Sequence, residues 1–374
     1  MGNNEASRFE RLKKYMAKEG YDATVVISPE NTVYFTGTYV LTQVDIRDRL
    51  LITVLPASGE PTVIACLIEK FTVDSESWIK DKRYYVEHKE NPIVLLADVL
   101  KEKGLANGKI GIELNYLTAD YYMELMKRVP GINLSECSHI FGYVKMIKDA
   151  VEIQYLTEAA NLTREAFEEA LTEVHPGCTE KAFADRVKIH MLEKGAETVA
   201  FFAMGSGDNC LQAHHIPNDD IMEAGDMMRL DFGCRYKWQY NSDIARTVML
   251  GTPNPKYLDI YKRFSEAYEQ IALNMKVGVS AKDIYNICVE KMKEVGLPFN
   301  CSHIGHSLGI GVHEYPMLGP SFDCPLEENM VFCLEPVVLA ENRMFHHEDL
   351  IQITANGPKM LSNNSFKPEV LIIK

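Results

Sequence analysis

The stretch 231–243, DFGCRYKWQYNSD, begins and ends with aspartate, and both aspartates adjoin apolar runs typical of strands. The first aspartate directly follows the run MMRL. Aspartate is uncommon in strands and is rarely buried without a partner. Carboxylates in such positions predict a compensating positive charge, from either a basic side chain or a metal ion.

Similar patterns recur further along the chain, in HIGHSLGIGVHEYP (303–316), VFCLEPVV (331–338) and FHHEDLIQIT (345–354). Within them, His306, Glu335 and Glu348 lie in or beside apolar strand patterns. Four carboxylates share a buried site only if cations neutralise them, and few basic residues other than Arg246 flank these strands. Two divalent ions balance four carboxylates, and oxygen ligands with one imidazole suit Mn, Co, Fe(II) or Zn.

The C-terminal part of the sequence repeats one order of elements. The segments VHPGCTEKAFADRVKIHMLEKG and MKVGVSAKDIYNICVEKMKEVG each predict a glycine turn, a capped helix and a glycine stop. Gly177 and Gly195 have counterparts at the same offset, Gly278 and Gly296. A long helix precedes each copy, and strand-rich sequence follows it. We therefore predict an internal duplication about a pseudo-twofold axis, which would bring the acidic residues and histidines of both halves into one pocket.

The first ~140 residues predict a smaller α/β domain. Segments such as RFERLKKYMAKEG and IVLLADVLKEKG have helical periodicity, whereas ATVVIS, RLLITVLP and KIGIEL are typical of strands. The predicted boundary lies near GYVKMIKDAVEI, where a long helix begins and continues to about Val174. We predict domains at 1–140 and 141–374. A G-x-G-x-x-G phosphate loop is absent from the sequence, so nucleotide binding has no support.

Composition and charge indicate a globular protein with an acidic surface. Hydrophobic residues make up 46% and charged residues 25% of the 374, with a formal net charge of −14. This charge argues against nucleic acid or an anionic membrane as a partner. The start of the chain lacks the apolar stretch of a signal peptide, and the nine cysteines form no C-x-x-C pair. We therefore expect a cytoplasmic protein with reduced thiols.

The motifs LDFG…NSDIART, GHSLGIGVHEYP, LEP and HHED resemble those of the pita-bread metallopeptidases, in family order and at near-family spacing. This family includes methionine aminopeptidase, aminopeptidase P and prolidase. The N-terminal part resembles the domain that precedes the catalytic domain in the creatinase, prolidase and aminopeptidase P branch. The resemblance covers essentially the whole chain. It implies a pita-bread catalytic domain behind a creatinase-type domain, a homodimer, and a peptide or small amide as substrate.

The resemblance also implies how the ligands are shared. Asp231 would chelate one metal ion, Asp243 and Glu348 would bridge the pair, and His306 and Glu335 would complete the other. A hydroxide bridging the ions would be the nucleophile, since bound cations lower the pKa of water.

Two histidines match further positions of the family pattern. His214, in GSGDNCLQAHHIP, and His313, in VHEYP, would stabilise the tetrahedral intermediate or steer the leaving nitrogen. Glu335 could also relay a proton. The remaining histidines of these motifs, at positions 215, 303, 346 and 347, are expected to support the site without binding metal.

Four positions depart from the family pattern. GHG becomes GHS at Ser307, and EPG becomes EPV at Val337. In the family pattern R-x-E-D, His346 stands in place of the arginine, which predicts the loss of a basic neighbour. Prolidases carry an arginine directly after HExP that binds the substrate carboxylate, and Met317 stands there instead. Strict dipeptidase activity is therefore less expected than cleavage of a longer peptide or another amide.

Two alternatives to a metal-dependent Xaa-Pro peptidase stay open at this point. One is a small-molecule hydrolase or lyase on the same fold, as the creatinase branch shows. The other is a non-catalytic binding protein, although such relatives generally lose metal ligands and this sequence keeps all five.

Overall fold

The computed structural model describes residues 2–374, with side-chain positions from residue 4 onward. The chain divides into two compact units, Met1–Val144 and Lys145–Lys374. Each unit contains both helices and strands, as the alternating sequence patterns predict. Across residues 2–374, every helix is too short or too polar to cross a bilayer.

The N-terminal unit is an α/β structure around one mixed sheet. Its helices are α1 (Gly2–Glu19), α2 (Pro29–Thr36), α3 (Leu41–Asp45), α4 (Lys70–Glu76), α5 (Pro92–Glu102), α6 (Ala119–Arg128) and α7 (Ser138–Lys145), with a 3-10 turn at Leu67–Glu69. Its strands are β1 (Ala23–Val26), β2 (Ile52–Pro56), β3 (Thr62–Cys66), β4 (Asp81–Tyr85), β5 (Lys109–Ile112) and β6 (Asn133–Glu136). The sheet order is β4-β3-β2-β1-β5-β6, and the central strands β1, β2 and β3 are buried along their whole length.

The C-terminal unit contains two pairs of helices, each followed by strands. The helices are α8 (Ala150–Leu171), α9 (Glu180–Glu193), α10 (Pro255–Leu273) and α11 (Ala281–Glu294). The strands of the first half are β7 (Thr198–Ser206), β8 (Met227–Tyr236), β9 (Tyr240–Asn241) and β10 (Ile244–Leu250), with a 3-10 turn at Gly207–Leu211. Those of the second half are β11 (Gly305–Ser307), β12 (Glu314–Met317), β13 (Val331–Leu334), β14 (Val337–Ala340), β15 (Arg343–His346), β16 (Asp349–Thr354), β17 (Gly357–Met360) and β18 (Leu371–Ile373).

The long helix α8 has a well-defined start and end. It begins at Ala150 because the side chain of Asp149 and that of Glu152 form a reciprocal capping box. It ends at Leu171, three residues short of the predicted Val174.

The predicted duplication is present in the backbone. In the turn before α9 the N–H of Gly177 donates to the carbonyl of Met222, and before α11 the N–H of Gly278 donates to that of Leu326. Both glycines have positive φ, +100° and +88°, which L residues rarely adopt. The two halves therefore repeat the same helix, turn and helix arrangement.

The strands form two larger sheets, one for each half except that β18 joins β10 of the first half, and a separate pair of β14 with β15. The two larger sheets are bridged between β10 and the start of β16. One sheet has the order β18-β10-β8-β7, with β9 paired to β8, and the other has the order β12-β11-β13-β16-β17. Ala245, in β10, and Glu348, just before β16, exchange backbone hydrogen bonds of 3.4 and 3.0 Å. The acidic motifs of both halves are thereby brought together.

Gly233 is a close-approach position in the hairpin that carries Asp231 and Asp243. A Cβ at Gly233 would lie 1.9 Å from the carbonyl oxygen of Ser242. Real Cβ atoms do not come so close, so any side chain here would push the two strands apart.

We expect Gly233→Ala to destabilise the C-terminal unit by about 3 kcal/mol, the upper end of typical overpacking costs. The comparison is Gly278→Ala, whose added Cβ would meet no atom within 4 Å and which carries only backbone strain, about 1 kcal/mol. Urea unfolding followed by circular dichroism measures both. Equal losses would contradict the close approach.

Candidate metal centre

The five predicted ligands lie on strands or at strand ends of the C-terminal unit. Asp231 is in β8 and His306 is in β11. The other three flank strands, since Asp243 precedes β10, Glu335 follows β13 and Glu348 precedes β16. Their positions follow from the pairing of β11 with β13 and from the bridge between Ala245 and Glu348.

Three of the carboxylates converge on the His306 ring. Its Nε2 lies 3.5 Å from Glu335 Oε1, 3.7 Å from Asp243 Oδ2 and 3.9 Å from Glu348 Oε1. His306, Asp243 and Glu348 are 1–3% exposed. Asp243 Oδ1, Glu335 Oε1 and Glu348 Oε1 are buried without a hydrogen-bond partner. Buried polar oxygens normally have partners, so this arrangement of unpaired oxygens fits a cation.

Asp231 stands beside this group and is held by a basic side chain. Its Oδ2 accepts a hydrogen bond from Arg229 Nη2 at 2.7 Å and lies 4.0 Å from His346 Nδ1. The side chain of Asp231 is 17% exposed. The structure thus brings four of the predicted ligands close together and places the fifth at the margin, paired with Arg229.

The carboxylates destabilise one another's charged forms. Burial, followed by the charges of neighbouring carboxylates, raises the pKa of Asp243 and Glu348 well above their usual values. Burial and the charge of Asp231 raise the pKa of Glu335 to about 8. Burial also raises the pKa of Asp231, although Arg229 opposes the effect. A bound cation would reverse this balance by stabilising the ionised forms.

His306 is neutral in this environment. Burial, then the neighbouring His313 ring, lowers the pKa of His306 to about 3. Its Nδ1 lies 3.1 Å from the carbonyl oxygen of Ser307. A hydrogen bond donated from Nδ1 to that carbonyl leaves the Nε2 lone pair directed at the carboxylates, the tautomer that a metal ligand requires.

With His346 in place of the family arginine, the basic side chain beside the site is Arg229, which comes from another strand, β8. Arg229 is 3% exposed. Besides the bond to Asp231, its Nε and Nη2 lie 3.2 and 3.1 Å from His346 Nδ1, and its Nη1 donates to the carbonyl of Ala213. Since residues two apart in a strand share a face, the position of Arg229 two residues before Asp231 was a signal for this contact.

His346 is therefore a hydrogen-bond donor towards the pocket. Arginine only donates, so Nδ1 must accept and the proton of the neutral ring lies on Nε2. This nitrogen is buried, lacks a partner and lies 3.7 Å from Glu335 Oε2. Burial and the Arg229 charge lower the pKa of His346, which keeps the ring neutral.

The two predicted catalytic histidines lie at the open side of the pocket. The His313 ring stacks on that of His306, with centroids 4.0 Å apart, and reaches solvent. Desolvation against the pocket, followed by the nearby His303 and His214 rings, lowers the pKa of His313. His214 is exposed, and it acts electrostatically on Asp231.

Arg246, which its sequence position made a candidate partner for the site carboxylates, pairs instead with Asp349. Its Nη2 lies 2.7 Å from Asp349 Oδ1, and its Nη1 donates to the carbonyl of Glu348 at 2.6 Å. His347 Nε2 lies 2.6 Å from the other oxygen of Asp349. This buried network holds the backbone at Glu348 and does not neutralise the metal-site carboxylates.

Glu314 fixes the loop that carries His313, a role that the sequence analysis did not predict. Its carboxylate is 1% exposed and lies 2.7 Å from Lys148 Nζ and 3.3 Å from Lys145 Nζ. It also accepts the N–H of Gly311 at 3.1 Å. Burial raises the pKa of Glu314, but the two ammonium groups outweigh it, and the resulting pKa is about 2.

Family models match both units of the chain. The model of metallopeptidase family M24 matches residues 154–355, and that of the creatinase/prolidase N-terminal domain matches residues 8–147. An uncharacterized peptidase of Bacillus subtilis, YqhT, is 29% identical over 370 residues, covering 98% of this chain and 99% of the relative. A Xaa-Pro dipeptidase of Pyrococcus furiosus is 29% identical over 369 residues, covering 95% and 97%. The crystal structure of the prolidase from Pyrococcus horikoshii superposes with a TM-score of 0.83 at 27% identity, covering 96% of this chain and 98% of that one.

The low pKa of Glu314 makes a prediction for stability against pH. The folded-state pKa, about 2, is below the usual glutamate value of 4.5, so the ion pairs contribute about 3 kcal/mol above pH 4.5. This contribution declines as the pH falls from 4.5 to 2. We expect Glu314→Gln to lose about 3 kcal/mol at pH 7, because it leaves a buried lysine unpaired, and progressively less below pH 4.5.

Chemical unfolding of both proteins between pH 3 and pH 7 measures this difference. Glu341→Gln is the matched control, because Glu341 pairs with Lys256 at the surface and exposed pairs contribute ~1 kcal/mol or less. A Glu314→Gln deficit independent of pH would contradict the ion-pair account.

Proposed function

Because the chain belongs to metallopeptidase family M24, we propose that it hydrolyses Xaa-Pro peptide bonds with the help of two divalent metal ions. The observation that carries this proposal is the convergence of Asp243, Glu335 and Glu348 on His306, with buried carboxylate oxygens that lack partners. A peptidase is favoured over a small-molecule lyase or a binding protein, since the family match and the named relatives are peptidases.

The donor set supports a division of ligands between two ions. Asp231 would serve one ion, His306 and Glu335 the other, and Asp243 and Glu348 both. Each of Asp243, Glu335 and Glu348 keeps one oxygen unpaired for this purpose. When bound, the ions supply a water molecule that deprotonates near neutral pH, and they polarise the scissile carbonyl. Mn, Co, Zn and Fe(II) are all compatible with such oxygen-rich ligands.

The protein's own residues would orient the peptide and stabilise the charge that develops on it. His313 presents a neutral ring to solvent beside His306, where an N–H can donate to the oxygen of the tetrahedral intermediate. His214 follows Ala213, whose carbonyl is fixed by Arg229, so its backbone is anchored next to Asp231. Glu335 would pass a proton to the leaving nitrogen.

The substrate is expected to be longer than a dipeptide. Met317 pairs directly with His306 across strands β11 and β12, and residues opposite one another in a pair share a face. The strand register therefore puts Met317 next to His306, and a thioether cannot form an ion pair with a terminal carboxylate. We therefore propose peptides of the Xaa-Pro-Xaa type, whose proline carbonyl is an uncharged amide.

We also propose that the enzyme acts in the cytoplasm as a homodimer. All nine cysteines are free, which fits a reducing compartment. The N-terminal unit exposes Leu41, Ile68 and Phe71 at 63%, 67% and 87%, and a 2.6 Å hydrogen bond from Thr42 to Glu69 joins the two segments that carry them. Such an apolar patch is typical of an interface.

Metal dependence is tested with the bridging ligand. Treatment with a chelator should abolish cleavage of an Xaa-Pro-Xaa tripeptide, and Mn, Co or Zn should restore it. Asp243→Asn should lower kcat/KM by at least about 10³-fold, because a metal centre supplies several kcal/mol of transition-state stabilisation, while circular dichroism stays unchanged. The exposed Asp219→Asn is the control. Full activity of Asp243→Asn, or of the metal-free protein, would overturn the proposal.

The substrate preference is tested at Met317. We expect Met317→Arg to raise kcat/KM for an Xaa-Pro dipeptide by about tenfold or more, since a guanidinium–carboxylate pair contributes roughly 1.5–3 kcal/mol. Activity on the tripeptide should not gain. Met317→Leu keeps the size without the charge and should keep the wild-type preference. Wild-type protein that prefers the dipeptide would refute the role given to Met317.

A further inference from the structure

Cys333 lies among the predicted ligands, although the sequence motifs assign it no role. It is in β13 and is fully buried. Its Sγ and ligand atoms of Asp243, His306 and Glu348 all lie within 4.8 Å of one another. A sulfur atom is therefore part of the same compact group as two carboxylates and one imidazole.

The strand register explains how the thiol reaches the pocket. Cys333 pairs directly with His306 across β11 and β13, and opposite residues of an antiparallel pair project on the same face. Glu335 follows two residues later and shares that face. The register that directs His306 and Glu335 into the site thus directs Cys333 there as well.

The surroundings of Cys333 differ from those of an ordinary core cysteine. Burial, then the charges of Glu348, Asp243 and Glu335, raises the pKa of the thiol well above its usual value. Cys288, in α11, is equally buried, but no carboxylate is among the groups that affect its thiol. Cys333 therefore differs from an ordinary core cysteine in the carboxylate and imidazole ligand atoms that lie within 4.8 Å of its sulfur.

We propose that Cys333 is an additional metal ligand, in the position formed with Asp243, His306 and Glu348, and that its sulfur makes this position prefer Zn²⁺ or Co²⁺ over Mn²⁺. On binding, a metal–sulfur bond replaces the S–H bond, and the proton leaves to solvent. Soft thiolate ligands favour zinc and cobalt, whereas carboxylate and water suit manganese. This inference rests on the proposed metal-dependent function and specifies the metal.

The charge balance of the pocket supports a thiolate. Before the metal-bound water deprotonates, four carboxylates and one thiolate would carry five negative charges, and two divalent ions together with the Arg229 guanidinium, 2.7 Å from Asp231, would carry five positive charges. A buried site is stable when its charges are compensated in this way. Arg229 therefore provides the charge that a fifth anionic ligand requires.

The test is a titration of the metal-free protein with Co²⁺, followed by absorption spectroscopy without any peptide. A cobalt–thiolate bond gives an intense near-ultraviolet charge-transfer band, whereas oxygen and nitrogen ligands give only weak visible bands. We expect the intense band in the wild type and in Cys288→Ala, which also removes a buried thiol. The band should be absent from Cys333→Ser and from Cys333→Ala. The alanine variant keeps a small apolar side chain at this buried position and serves if serine disturbs folding.

Competition calorimetry adds a second readout. The ratio of Zn²⁺ to Mn²⁺ affinity should fall by about tenfold or more in Cys333→Ser, as for other changes around metal ligands. Three results would each overturn the inference. They are binding of Co²⁺ to the wild type without the band, persistence of the band in Cys333→Ser, and failure of the wild type to bind Co²⁺ at all. Wild-type protein with the band but without peptide cleavage would instead overturn only the proposed function.

Discussion

The repulsion between buried carboxylates around His306 is the constraint on which the C-terminal unit depends. Asp243, Glu335 and Glu348 lie 3.5–3.9 Å from one imidazole nitrogen, each with an oxygen that lacks a partner. Burial raises the pKa values of all three, and the charges of neighbouring carboxylates, for Glu335 that of Asp231, raise them further. Apolar side chains in these positions would avoid the free-energy cost of burying the carboxylates. A bound cation offsets that cost and so accounts for the cluster.

The surrounding structure holds the cluster from several sides. Arg246 and Asp349 fix the backbone at Glu348 through a fully buried ion pair. Glu314, between two lysines, fixes the loop that carries His313. Asn241 joins the halves, since its side-chain amide donates to the carbonyl of Ile310 at 2.6 Å. None of these groups is a predicted metal ligand, yet each contacts a segment that carries a predicted ligand or a predicted catalytic histidine.

Much of the architecture could be predicted from the sequence, because hydrophobic periodicity and turn residues are local signals. The two-part α/β organisation, the duplication marked by Gly177 and Gly278, and the placement of the acidic motifs at strands are all present in the structure. The family resemblance is also confirmed, by matches to both units. The order of motifs was sufficient for these conclusions.

The remaining features depend on which side chains face one another across strands, which motif order does not specify. Arg229 could have been recognised from its position two residues before Asp231 in the same strand. The positions of Cys333 and Met317 beside His306 follow from the register of β11 with β13 and β12, and local patterns do not fix that register. The partner of Arg246 likewise lies about a hundred residues away in sequence.

The most direct test of the account is to locate the ions by anomalous diffraction from crystals of cobalt-loaded protein. The account predicts strong peaks in the pocket, one of them within coordination distance, about 2.0–2.3 Å, of Asp243, His306 and Glu348. Two results would contradict the central claim that the buried cluster binds metal. Crystals with bound cobalt would show no anomalous peak in the pocket, or their peaks would lie only at surface carboxylates.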